Sequence, residues 1–404
     1  MTKGQLWIVL VTTFLVFCTL YTPQPILPQL AQDFSIPATD AALVITVTLL
    51  PLGLAPVFYG YFLQAIPARS MLRLSLILLA LDQFALFFAT SFWQLLTLRF
   101  LQGLLLPALF TALMTYAARM AAPGRIRAVM GQYVAATIIG GFTSRALSGF
   151  LADTLGWQWI FMVLGLALLV PAWLSGRLQA DAELSFARLD TRAIGRTLRV
   201  PDYAWSYLAL FVVFFGFTGV LALLPFRIGE IAPGTSSFVI SLVYLGYMIG
   251  IPMALASDRL VAGFGSEKLV LLMGVSATGL GFVLYLIPDV SILFIVMLIL
   301  AGGMFLFHAT LSGFLNHSAI EHKGVVNGIY VSVYYLSGAL GSWLPMMFYQ
   351  SFGWHDTLLV FIGLALLSAW FISRLGRGAS ASEPSVKSSS LLEYAILHRG
   401  KPGM

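Results

Sequence analysis

Three strongly charged residues, Asp82, Arg99 and Arg145, lie well inside long apolar runs. In lipid, a charge at mid-helix costs roughly 2.5–3.5 kcal/mol on insertion scales, so each calls for a partner or a water-filled cavity. Asp82 is a carboxylate that could take up and release a proton, and positive neighbours and burial pull such a group in opposite directions, which makes it switchable. An arginine on a cavity wall could instead bind an anionic substrate group. The bland reading is a static ion pair that locks three helices. His308 shares a helical face with Met304 and Ser312 at i, i+4 and i+8. It could carry protons near neutral pH, touch substrate, or simply hydrogen-bond a neighbouring helix. Asp33 is the next carboxylate, but it ends the first apolar run, where a solvated surface acid is expected. His317 and His322, in "HSAIEH", lack a third convergent ligand, so neither a metal nor another cofactor is expected.

The elements that must position these residues are membrane helices. Of 404 residues, 59% are hydrophobic and 9% charged, against about 25% charged in a soluble domain. The solvent is therefore partly lipid. Strict alternation is absent, which excludes a β-barrel. The single cysteine, Cys18, leaves no intramolecular disulfide. The opening "MTKGQLWIVLVTTFLVFC" has a signal-like apolar run without a small-x-small cleavage site, and reads as an uncleaved first helix.

Apolar runs predict twelve spans, at 5–30, 38–64, 71–90, 93–117, 129–152, 157–176, 204–226, 237–257, 268–287, 291–315, 325–349 and 354–374. The fold class is thus all-α integral membrane. Two six-helix halves, 1–176 and 203–376, flank a polar linker at 177–202, and a polar tail at 377–404 reads as disordered. In the linker, Leu189, Ile194, Leu198 and Val200 permit a short amphipathic helix. All but three of the 22 Lys and Arg fall on the side holding both termini, the exceptions being Arg99, Arg145 and, in the loop after span 7, Arg227. That side is cytosolic by the positive-inside rule, and the scattered basic residues set topology rather than bind nucleic acid. Counting 1.5 Å per residue from the span ends places Arg99, Arg145 and Asp82 about 9, 12 and 14 Å deep, in one slab towards the non-cytosolic face.

The halves repeat. Gly131, Tyr133, Val134, Gly156 and Trp157 recur as Gly328, Tyr330, Val331, Gly353 and Trp354, all 197 positions later. A repeat of six helices suits a transporter with its site at the repeat interface. Aromatic stripes with a few polar groups could line that site for an amphiphilic organic molecule. They comprise Thr13, Phe17, Tyr21 and Gln24 on span 1, Phe211, Phe215 and Thr218 on span 7, and Tyr330, Tyr334 and Ser337 on span 11.

Several stretches carry a family resemblance. "RFLQGLLLPA", with Arg99, Gln102 and Gly103, resembles the fourth-helix pattern of the major facilitator superfamily. "YTPQPILPQLAQDF" resembles the first-helix exit of its drug:proton antiporter branch, and "GFLNHSAIEHKGVVNGIYVSVYYLSGALGSW" is similar to its arabinose-efflux-permease-like group. The resemblance covers residues 1 to about 376 and implies alternating access between the halves. It also implies two cytosolic latch loops. The first, "GYFLQAIPAR", keeps Gly60 and Arg69 but has Gln64 in place of the acid; the second, "LASDRLVAGFG", keeps Asp258 and Arg259. On span 5, Gly140-x3-Ser144-Arg145-x2-Ser148-Gly149 resembles the antiporter signature with Arg145 where the proline belongs.

These features lead to an expectation of a monomeric, proton-coupled secondary transporter of the bacterial inner membrane, with both termini cytosolic. Its expected partners are protons, lipid and a small amphiphilic compound (drug-like molecule, metabolite or siderophore) that it exports; the alternative is a proton-symporting importer. Arg145 is expected to couple cavity charge to closure of the non-cytosolic gate. No nucleophile–base pair or HExxH motif suggests an enzyme.

Overall fold

A computed structural model describes residues 3–62, 67–119, 121, 126–178, 191–319 and 323–376. Among them there is no strand. Eleven helices are long and apolar enough to cross a membrane, and the last, Lys323–Ser373, runs 51 residues. A straight helix of that length would extend about 75 Å, far beyond a bilayer. It is broken at Gly353, whose φ of 82° and ψ of −178° no α-helix contains. The break yields spans 11 (323–352) and 12 (354–373), making twelve crossings. Gly156, the repeat partner of Gly353, also has a positive φ, of 110°, and separates spans 5 and 6. Glycine at both turns follows from the left-handed backbone they require.

Span 1 is Lys3–Tyr21, then a 3-10 turn at Gln24–Ile26 and a helix at Leu27–Asp33. Pro23, Pro25 and Pro28 lack the N–H donors that would keep it continuous. Spans 2 to 7 are Ala38–Phe62, Ala68–Phe87, Phe92–Arg119, Ile126–Thr154, Trp159–Leu174 and Pro201–Ile231. Span 8 joins helices Ser237–Leu242 and Gly250–Phe264 through a 3-10 stretch, Val243–Ile249. Spans 9 and 10 are Glu267–Leu284 and Val290–Ser318. Side-chain caps open three of these: Ser236 on span 8, Ser266 on span 9 and Asp289 on span 10, each satisfying a backbone N–H that the helix cannot.

Several boundaries differ from those predicted. Span 7 runs on to Ile231, so Arg227 is not in a loop; it lies in the last turns, 3.0 Å from Glu230 and over the Trp354 ring. Arg69, Asp258 and Arg259 are on helices rather than in latch loops, as is Gly60, and Gln64 lies outside the described residues. His317 is on the last turn of span 10, 3.4 Å from Glu267, while His322 lies outside the described residues. A short helix does form at Thr191–Leu198, with Ala193 and Ile194 packed on the second core and Leu198 and Val200 exposed; Leu189 and the tail 377–404 fall outside the described residues.

Two apolar cores hold the molecule together. One is built from spans 1 to 6 with Ala339, the other from spans 7 to 12 with Ala42 and Ile138. With twelve crossings, residues 3 and 376 share one face, termed terminal here, and the opposite face is distal. Hydrogen bonds crossing between the halves sit at mid-span, where Thr46 donates to the Ala339 carbonyl at 2.9 Å, and at the distal face.

Candidate functional site

The halves meet at the distal face around span 5. Gly149 packs so tightly on the Ser237 carbonyl of span 8 that an added Cβ would collide with it. One helical turn on, the Asp153 carboxylate accepts the Ser237 and Phe238 backbone N–H groups, at 3.0 and 2.9 Å. Ser236 Oγ accepts Val239 N–H at 3.3 Å, so the three N–H groups that open span 8 are all satisfied, two of them by the other half. A carboxylate here also meets the positive end of the helix dipole. Phe150 and Phe238 close the same seam with rings 5.9 Å apart.

Two turns deeper lies Arg145, fully buried. Its Nε donates to Gln24 Oε1 at 2.6 Å and its Nη1 to the Gly141 carbonyl at 2.5 Å, while Nη2 has no partner. The guanidinium lies over three rings: Tyr21 at 4.5 Å, Tyr244 at 4.9 Å and Tyr247 at 5.0 Å. Each desolvated cation–π contact is worth roughly 2 kcal/mol. Two of the rings belong to the second half, so Arg145 bridges the halves. The 3-10 stretch of span 8 explains their alignment, because residues three apart eclipse at three residues per turn. Tyr244 is further fixed by a 2.7 Å hydrogen bond to the Leu221 carbonyl of span 7.

Arg99 is equally buried but fully engaged. Its Nη1 donates to Thr19 O at 2.9 Å and to Gln102 Oε1 at 2.6 Å, its Nη2 to Leu20 O at 2.8 Å, and its Nε to Val44 O at 3.4 Å. Gln102 in turn donates to Thr19 O at 2.8 Å. This node fastens spans 1, 2 and 4.

The expected Asp82–Arg99–Arg145 trio does not assemble as contacts, and no ion pair among the described residues joins spans 3, 4 and 5. Among the described residues no ion pair includes Asp82, Arg99 or Arg145, and Arg145 lies against tyrosine rings instead. Asp82 is buried, with Oδ2 accepting from Gln83 Nε2 at 3.3 Å and Oδ1 unpartnered. Equal depth was correct grounds for proximity only if the side chains also point the same way around their helices. Asp33 is exposed, and it is bonded as well: Trp157 Nε1 donates to its Oδ2 at 2.8 Å.

Each half carries aromatic contacts, including a cluster in spans 7, 8, 10 and 11. Tyr334 of span 11 stacks on Phe214 at 3.9 Å and lies 4.9 Å from the His308 ring. His308 Nδ1 is 2.7 Å from the Tyr330 hydroxyl, which is also 3.2 Å from the His308 carbonyl. The hydroxyl has one proton, so when it donates to the carbonyl the imidazole must donate to it. Phe17 stacks on Phe110 at 4.4 Å. Phe211 and Phe215 stack on one another at 6.4 Å, and it is Phe214 and Phe217 that reach the tyrosines of the other spans. Sequence reasoning brought forward Tyr21, Gln24, His308, Tyr330 and Tyr334 but missed Asp153, Phe214, Tyr244, Tyr247 and Tyr335. A usable signal existed for Tyr244 and Tyr247: aromatics three apart flanking Gly246 in an apolar span. At the terminal face, Arg69 donates to Leu178 O at 3.3 Å, and Asp258 and Arg259 are exposed.

Comparison with known proteins agrees with this architecture. The sequence profile of the Major Facilitator Superfamily matches residues 9–342 and 206–401. The MFS-type transporter YybF of Bacillus subtilis is 23% identical over 369 residues, covering 90% of this chain and 91% of the relative. The inner membrane transport protein YnfM of Escherichia coli K12 is 25% identical over 374 residues, covering 89% and 88%. The purine ribonucleoside efflux pump NepI of Escherichia coli O127:H6 is 27% identical over 274 residues, covering 62% and 68%. Among solved structures, a variant of the nucleoside transporter NupG superposes with a TM-score of 0.76 at 12% identity, covering 91% of this chain and 99% of that one. That likeness speaks to fold alone.

Proposed function

The chain belongs to the Major Facilitator Superfamily, and from that premise we propose that it exports a small amphiphilic organic compound, driven by protons, by alternating access between its two halves. The observation that carries this reading is the aromatic cluster of the second half, Phe214, Phe217, Tyr247, Tyr334 and the His308–Tyr330 pair, which reaches through Tyr247 to the buried guanidinium that bridges the halves. Flat apolar faces with a few polar groups hold an organic molecule rather than a bare ion. In this reading the terminal face is cytosolic, as the distribution of basic residues argues. Asp153 and Arg145 then close the non-cytosolic gate, and substrate enters from the cytosol. Export follows the family resemblance and the efflux activity named for NepI. Asp82 and His308 are the proton-carrying candidates, the former for its unpartnered oxygen and the latter for its exchangeable bond with Tyr330.

The test is untargeted mass spectrometry of cytosol and medium from bacterial cells lacking the protein, expressing it, or expressing Asp82→Asn at matched levels. The expected result is at least one compound enriched in the medium only with the intact protein, and lost from it with Asp82→Asn. Depletion from the medium with cytosolic gain would reverse the direction. Unchanged export by Asp82→Asn would remove that carboxylate from coupling.

A further inference from the structure

Arg145 is a buried cation without a counter-ion. Its side chain is 0% exposed, no ion pair among the described residues includes it, and the groups against its guanidinium are the rings of Tyr21, Tyr244 and Tyr247. Five N–H donors leave a guanidinium in a fixed fork, and a carboxylate or phosphate fits that fork with two parallel bonds. Here Nε and Nη1 are used, on Gln24 and Gly141, and Nη2 is left over. Arg99 shows that this fold can give every nitrogen of a buried guanidinium an acceptor when its role is structural. The surroundings of Arg145 contrast with that node. The hydroxyls of Tyr21, Tyr247, Tyr334 and Tyr335 make no hydrogen bond among the described residues, and none of them is sealed from open space. Nη2, with two unpartnered N–H groups enclosed in this structure, thus lies beside Tyr21 and Tyr247, whose hydroxyls are uncommitted, and donors in that number select an acceptor. Tyr334, half-buried and in ring contact with Tyr335, stacks on the buried Phe214 and is an apolar surface beside these hydroxyls.

We propose that Arg145 is the anion-recognition residue of the transport site, and that the transported compound is an organic anion, an aromatic or otherwise apolar body bearing a carboxylate. The carboxylate takes Nη2, once the guanidinium shifts, together with tyrosine hydroxyls, and the body lies against Tyr334. Because the guanidinium is held by Tyr21 and Gln24 of one half and by Tyr244 and Tyr247 of the other, an anion that draws it away loosens the distal closure. Recognition and gate release then reside in one side chain. The inference rests on the transport reading but not on its direction.

Binding to the purified full-length protein in lipid nanodiscs tests it, with three probes of matched shape: phenylacetate, phenylacetamide and phenethylamine. Quenching of intrinsic fluorescence reads affinity. For the native chain, phenylacetate is expected to bind at least tenfold more tightly than the amide, and the amine more weakly still. Arg145→Gln is expected to abolish the preference for carboxylate over amide, and Arg145→Lys, which keeps the charge and loses the fork, to reduce it about threefold or more. Equal binding of the three probes, failure of all to bind, or a preference that survives Arg145→Gln would overturn the proposal. If Arg145→Gln does not fold, the Lys variant carries the test, and an undiminished preference in it is the overturning result. The two readings fail separately. Compounds exported by cells that are all neutral or cationic would sink the anion assignment and leave export standing. Carboxylate preference in nanodiscs without export from cells would do the reverse.

Discussion

Two arginines with the same burial, Arg99 and Arg145, are held in opposite ways. Arg99 gives its N–H groups to three backbone carbonyls and a glutamine. Carbonyls of span 1 and span 2 cannot move without breaking helices, so the node is stiff. Arg145 rests on tyrosine faces, which attract a cation with little directional demand, and it keeps the two N–H groups of Nη2 in reserve. The difference teaches where this fold is built to hold and where to yield. Inside one half the guanidinium is satisfied by fixed acceptors; between the halves it is held by contacts that can slide.

Breaking the stiff node should have the largest effect. Arg99→Ala leaves Gln102 and the Thr19 and Leu20 carbonyls without their charged donor, with a cavity in its place, and should destabilise the protein by about 3–5 kcal/mol. The check is a thermal melt of purified protein, in which Arg99→Ala should lose cooperative unfolding or melt far below the native chain. Arg145→Leu should cost transport at least tenfold with only about 1–2 kcal/mol of stability, since an apolar side chain removes the desolvation cost together with the contacts. Full transport by Arg145→Leu would end the claim that this residue governs the gate. Asp153→Ala removes the acceptor for two N–H groups at the start of span 8, a loss of about 1–2 kcal/mol. It should raise the labelling rate of a cysteine introduced by Ser237→Cys, and an unchanged rate would show that the distal closure does not depend on Asp153. The smallest effect belongs to Tyr244→Phe. It keeps the ring over Arg145 and loses only the bond to Leu221 O, about 1 kcal/mol, so melting should fall slightly while transport is retained.

The same contrast shows what was legible in the residues alone. Spans, repeat and membrane class follow from composition and from the 197-residue offset, because lipid demands long apolar runs and a duplicated half keeps its turn glycines. The shared positive φ of Gly156 and Gly353 makes that repeat physical. Depth was readable too, since rise per residue is fixed. Direction around the helix was not. A helix buried among other helices and lipid has no polar face to set its phase, so Phe211 and Phe215 looked as good as Phe214 and Phe217. Asp82 matched Arg145 in depth yet faces elsewhere. Asp153 lies just past the predicted end of span 5, and its partners are backbone N–H groups 84 and 85 positions away along the chain, which no sequence pattern marks. The 3-10 geometry of span 8 leaves no clear mark in an apolar sequence, and it alone brings Tyr244 and Tyr247 into register.

That seven-residue 3-10 stretch, Val243–Ile249, also sets a length. A 3-10 helix rises about 2.0 Å per residue and an α-helix 1.5 Å, so rewinding the stretch would shorten span 8 by about 3.5 Å. It would also turn Tyr247 about 60° away from Tyr244, since three residues sweep a full circle in one form and about 300° in the other. A piston stroke and the removal of a tyrosine from Arg145 would then be one motion of the backbone, with no hinge needed elsewhere in the span.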